Sequence, residues 1–170
     1  ERQRQENDAL LQSDIQKQIT NILSRKDSST DPARSKSGLP LTPEQVAQEV
    51  SQKQSQIRNV SEAEHRRILE AGEQVKQFLR ETNREAWIPK LEELLADIGH
   101  LRAGPFDLFY GAIYQGILYL DESILNNPTE LALTILHELG KLHGQKHPQN
   151  LKLEDEYMLW LVLKNLPQQI

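Results

Sequence analysis

The sequence predicts an α+β protein, with a helical N-terminal region followed by short strands and two more helices. Three observations carry this expectation. Capped apolar stretches at helical spacing recur up to Ile98, short apolar runs broken by glycine fill residues 106 to 120, and a new capped helix begins at Asn127.

In chain order, Leu11, Ile15, Ile19 and Ile22 form a narrow apolar stripe over residues 8 to 25, which predicts an amphipathic helix in need of a packing partner. Residues 27 to 41 are rich in Ser, Pro, Gly and charge without apolar periodicity, and are expected to be a flexible linker. Thr42-Pro43-Glu44-Gln45 is a helix start, with a capping hydroxyl, proline in the first turn and Gln three residues after the cap; Val46, Val50 and Ile57 follow as its buried side. Ser61 to Glu64 repeats the signature, and Ile68, Ala71, Val75, Phe78 and Leu79 continue it. A further helix is expected over 85 to 98 through Trp87, Leu91, Leu94 and Leu95, ended by Gly99 and Gly104-Pro105. FDLFY (106 to 110), AIY (112 to 114) and ILYL (117 to 120) read as short strands, the last two joined by a Gln115-Gly116 turn. Asn127-Pro128-Thr129-Glu130 starts a helix running to Gly144 with Leu131, Ile135, Leu139 and Leu142 on one face, and a last helix spans 153 to 166 before Pro167.

Composition narrows the function classes. The net charge of −5 is spread without a basic stripe, so nucleic acid is not an expected partner. The absence of cysteine removes disulfides, thiolate metal sites and cysteine nucleophiles. No apolar run approaches the ~20 residues that span a bilayer. The chain starts at Glu1 and is expected to be an excised segment. Its compartment stays open, since bacterial cytoplasm and delivery into another cell both fit.

The chemistry concentrates in Leu133 to Gly144, LTILHELGKLHG. In His-Glu-x-x-His, two histidines four apart lie one above the other on a helix and converge on one zinc, while the Glu activates the bound water. Here His137 and Glu138 stand in place, but the second histidine position holds Lys141. An ammonium cannot ligate zinc while protonated, and beside Glu138 an ion pair is its expected role. His143 sits about 120° around the helix from His137 and cannot share a metal with it, while His147 follows the Gly144 cap, from where the chain could loop it back as a substitute ligand; both are expected at the surface of a helix end. The acids Glu154, Asp155 and Glu156 also suit the positive end of a helix dipole, and the His137-Glu138 pair also suits the wet face of an amphipathic helix.

Residues 112 to 167 resemble a gluzincin-type zinc metallopeptidase, and most nearly the ImmA/IrrE-like metallopeptidases; ILYLDESIL, HELGK and EDEYMLWLVLKNLP are similar to that family's strand, HELGH helix and acid-led helix. Minimal zincin toxin domains at the ends of large bacterial secreted proteins are similar too. The resemblance implies a strand with Asp121 along the cleft, zinc as cofactor, Glu138 as catalytic base, His137 as ligand, and Glu154 or Glu156 as the third ligand, with Glu154 preferred.

The expected organisation is an amphipathic helix and linker (1 to 41), a helical region (42 to 104) and a zincin-like domain (105 to 170). The expected activity is proteolysis of a protein or peptide substrate, by a toxin, effector or regulator. Lys141 should leave zinc binding weak and activity near zero, whether the lysine is an inactivating substitution or native to a pseudoenzyme. The alternative is a non-enzymatic interaction module that engages a protein partner through its N-terminal helices.

Overall fold

The computed structural model describes residues 33–166. The amphipathic helix expected over 8 to 25, and Pro167, lie outside them. Among the described residues the architecture is α+β, with a five-stranded mixed sheet and five α-helices. The strands are β1 (Ala33–Ser35), β2 (Arg58–Asn59), β3 (Leu101–Gly104), β4 (Phe109–Tyr114) and β5 (Ile117–Asp121). The helices are α1 (Pro43–Gln52), α2 (Glu62–Glu81), α3 (Ile88–Ala96), α4 (Pro128–Leu142) and α5 (His147–Lys164).

The strands lie in the order β1-β4-β5-β3-β2. β4 is antiparallel to both neighbours, while β3 and β5 run parallel. The β4–β5 hairpin turns at Gln115 (φ 52°) and Gly116 (φ 78°), the two left-handed positions that match the twist of paired strands. α1 covers one face of the sheet, packing Val46 and Val50 with Ala33, Phe106, Phe109 and Ala112. On the other face a single apolar cluster runs from Val60 through α2, α3, β3, β5 and α4 to Tyr157 on α5.

Helix starts follow the capping chemistry. The Thr42 hydroxyl accepts from Gln45 N at 3.1 Å and the Gln45 side chain accepts from Thr42 N at 2.8 Å; Ser61 and Glu64 repeat this pair at 3.1 and 2.8 Å. Asn127 Oδ1 caps α4 by accepting from Glu130 N at 3.1 Å.

Several expectations are corrected. Residues 33 to 35, expected as linker, form β1. Residues 101 to 104, expected as the loop after a helix, form β3, because alternate residues Leu101 and Ala103 are buried beside Leu118 and Leu120 of β5. FDLFY is not one strand. Phe106 N donates to Asp121 Oδ1 at 3.0 Å, which holds the chain in a loop until Phe109. The last helix begins at His147 instead of Leu153, with Pro148 in its first turn and the Gln149 side chain accepting from Lys146 N at 2.8 Å. Finally, α4 has no wet face over most of its length, since Leu131 through Gly140 are all buried, and Leu142, expected on its apolar face, is exposed.

Candidate functional site

The central helix carries the site. His137 and Glu138 are 1% and 0% exposed, which removes the wet-face alternative for this pair. A buried imidazole and carboxylate are costly unless their polar atoms are bonded. His137 Nδ1–H donates to Glu154 Oε2 at 2.9 Å, so the ring leans on α5. The second Glu154 oxygen accepts from Arg34 Nε at 2.6 Å. Arg34 Nη1 donates onward to Glu130 Oε2 at 2.7 Å and to Thr134 Oγ1 at 3.2 Å, and the guanidinium lies 4.8 Å from the centre of the Tyr110 ring. The Arg34 and Glu154 side chains are only 11% and 12% exposed. One guanidinium fork thus ties β1 to α4 and α5 at once.

Charge distribution follows from this geometry. Burial alone would raise the Glu154 carboxyl, but the His137 hydrogen bond and charge, with Arg34 beside it, hold its pKa below the ordinary value. Burial works against the Arg34 cation, and Glu154 and Glu130 overcome it, so its pKa rises further. His137, Glu154 and Arg34 form a continuous chain of charge-assisted bonds.

The segment after β1 roofs the site. Lys36 Nζ donates to Phe106 O at 2.6 Å and pairs with Asp121 at 3.0 Å, and the Gly38 carbonyl accepts from His147 Nε2–H at 2.8 Å. His147 is buried, with its ring centre 6.1 Å from that of His137. A cleft of about 280 Å³ opens here between residues 34–38, Tyr110, His137, His147, Leu151 and Glu154.

The structure brings His137 and Glu154 together, while Glu138, next to His137 on α4, is buried and does not line the cleft. Glu156 points elsewhere and binds Arg84 through both oxygens, at 2.6 and 3.1 Å. Lys141 sits half-buried in the last turn of α4, one turn beyond His137. His143 leaves the site and stacks on Trp87, with ring centres 4.7 Å apart and 6° between planes; burial, then the charge of Lys90, lowers its pKa and favours the neutral ring. His147, expected at the surface, is instead enclosed, because the early start of α5 carries it under Gly38. The strand along the cleft is β4 with β1 on its edge. ILYL is an interior strand, and its Asp121 is bonded to Lys36, Ser123 and Phe106 N. Tyr110 lines the cleft, whereas Tyr114 and Tyr119 pack with the α1 cluster. His100 borders a different groove, with Leu94, Ile113 and Leu142.

The donor set does not suit a zinc ion. The second ligand position is an ammonium, and Glu154, the carboxylate beside His137, is neutralised by Arg34. Among the described residues no three His, Asp or Glu side chains are grouped so as to hold a metal.

Arg34 and Lys36 were not singled out by sequence, because residues 27 to 41 show no period to read, and Glu130 was read only as part of a helix start. His147 was legible in principle: Pro148 with Gln149 marks a helix start, and 147 and 154, seven apart, then share one face. No family profile, no curated protein and no solved structure matches the chain.

Proposed function

We propose that this chain is a zinc-metallopeptidase scaffold whose hydrolytic chemistry is disabled, a pseudoenzyme of the gluzincin type. The observation that carries the reading is Lys141 one helical turn from His137, with the neighbouring carboxylate Glu154 bound by Arg34. A hydrolytic zinc centre needs three convergent neutral or anionic donors and an open position for water. Here an ammonium stands where the second imidazole belongs, the carboxylate beside His137 is held by a guanidinium, and the other nearby imidazole, His147, donates Nε2–H to the Gly38 carbonyl. Glu138 keeps the position that the general base takes in His-Glu-x-x-His, next to His137 on α4.

The test compares the full chain, Lys141→His and Glu138→Gln for bound zinc and for cleavage of an unfolded protein such as casein. The parent chain is expected to hold no stoichiometric zinc and to cleave nothing, and Lys141→His to gain zinc. Stoichiometric zinc in the parent chain, with cleavage abolished by Glu138→Gln, would make it an active enzyme instead. No gain of zinc in Lys141→His would remove the peptidase scaffold itself.

A further inference from the structure

We infer that the groove bounded by the edge of β4 and by α4 and α5 is a binding site for an extended peptide carrying Arg-x-Lys, and that residues 33–38 of this chain occupy it in cis. β1 is the feature that points there. Among the described residues it spans Ala33–Ser35 and pairs with β4 alone, and it loses register between Arg34 and Ser35. Its two buried side chains, Ala33 and Ser35, are among the smallest available, so it adds little apolar contact to the core. What holds it is main-chain pairing and a set of polar sockets, and any extended peptide in the same register can use both.

The sockets define the ligand. The first takes a guanidinium: Glu154 at 2.6 Å, Glu130 at 2.7 Å and Thr134 at 3.2 Å receive the Arg34 fork from two sides, with the Tyr110 ring beneath. An ammonium is a point donor and cannot satisfy carboxylates on two helices in this planar arrangement. The second, two residues on and past the register shift where the strand ends, takes an ammonium between the Phe106 carbonyl and Asp121. Beyond it, His147 Nε2–H receives a backbone carbonyl, as it does that of Gly38. The adjoining cleft of about 280 Å³ leaves room for side chains larger than Ser35 or Ser37.

A tethered segment competes at an effective concentration on the order of millimolar, so the site shows itself when the cis arginine is removed. The inference stands on the groove alone and needs no zinc, so metal content and peptide binding fail or succeed independently.

The experiment uses the full chain and its Arg34→Ala variant, with a fluorescent peptide of residues 30 to 39 (TDPARSKSGL) and versions bearing Ala or Lys at the arginine, read by anisotropy. Arg34→Ala is expected to bind the arginine peptide at least about tenfold more tightly than the alanine peptide, with the lysine peptide between them, and the parent chain to bind all three weakly. Adding Glu154→Gln should erase the preference. Should Arg34→Ala not fold alone, the arginine peptide should restore its helical circular dichroism and the alanine peptide should not. Equal binding of the three peptides, no binding by a folded variant, or no restoration of an unfolded one overturns the proposal.

Discussion

Arg34 and Glu154 show how a few side chains decide what the His137 region can do. Each is nearly enclosed, and each is tolerable there only because the other supplies the opposite charge. Replacing Glu154 by Gln leaves the Arg34 cation and the His137 Nδ1–H facing a weaker acceptor, and should cost roughly 3 kcal/mol at pH 7 by urea unfolding. The folded-state pKa of Glu154 lies below its ordinary value of 4.5. Its contribution is therefore complete above pH 4.5 and drains away as pH falls through the lower folded value. Glu64, which Arg58 draws down to about 2, adds to the same acid-side loss. Stability measured at pH 7, 4 and 3 should thus fall steadily in the parent chain, and the gap to Glu154→Gln should narrow below pH 4.5. A constant gap would assign the network no charge-dependent role.

Among the helices, the contact between α4 and α5 sets the site. α5 approaches so closely that a methyl group at Gly140 would overlap the Asn150 side-chain oxygen and touch Leu153. Gly140→Ala should therefore destabilise by about 1–3 kcal/mol despite the better helix propensity of alanine, and should loosen the His137–Glu154 pair with it. An unchanged midpoint of thermal unfolding would show that the two helices can separate without loss. The pattern of α4 was only half legible in the sequence: the Asn127 cap and the apolar spacing were plain, but one apolar face was expected where ten successive residues are enclosed. A helix covered by β1, β4, α2 and α5 needs no polar face, and single-sequence periodicity carries no record of how many neighbours will arrive. For α5 the acids after Leu153 suggested a helix start there, and the earlier Pro148 start went unread, which hid the alignment of His147 with Glu154.

For the whole molecule, the class α+β, the β4–β5 hairpin and the capped helices could be read from residues alone, because each rests on local rules of turn and cap chemistry. β1, β2 and β3 could not. They are two to four residues long and are strands only because β4, β5 and one another lie beside them. The same long-range pairing brings Arg34 to Glu154, 120 positions away in sequence, and makes a site that no local motif announces. His137, Glu138 and the preference for Glu154 over Glu156 came from helix spacing and resemblance; the partners of Glu154 came only with the fold. The central claim is the proposal that the His137 site, with Lys141 in place of a second imidazole and Glu154 held by Arg34, does not take up zinc. Nitrogen-detected NMR of the histidine rings in the full chain, with and without one equivalent of zinc, tests it most directly. His137 ring-nitrogen signals that shift in Glu154→Gln, where the acceptor is weaker, and are unmoved by zinc in the parent chain are the predicted result; a zinc-dependent shift of either His137 nitrogen in the parent chain would contradict it.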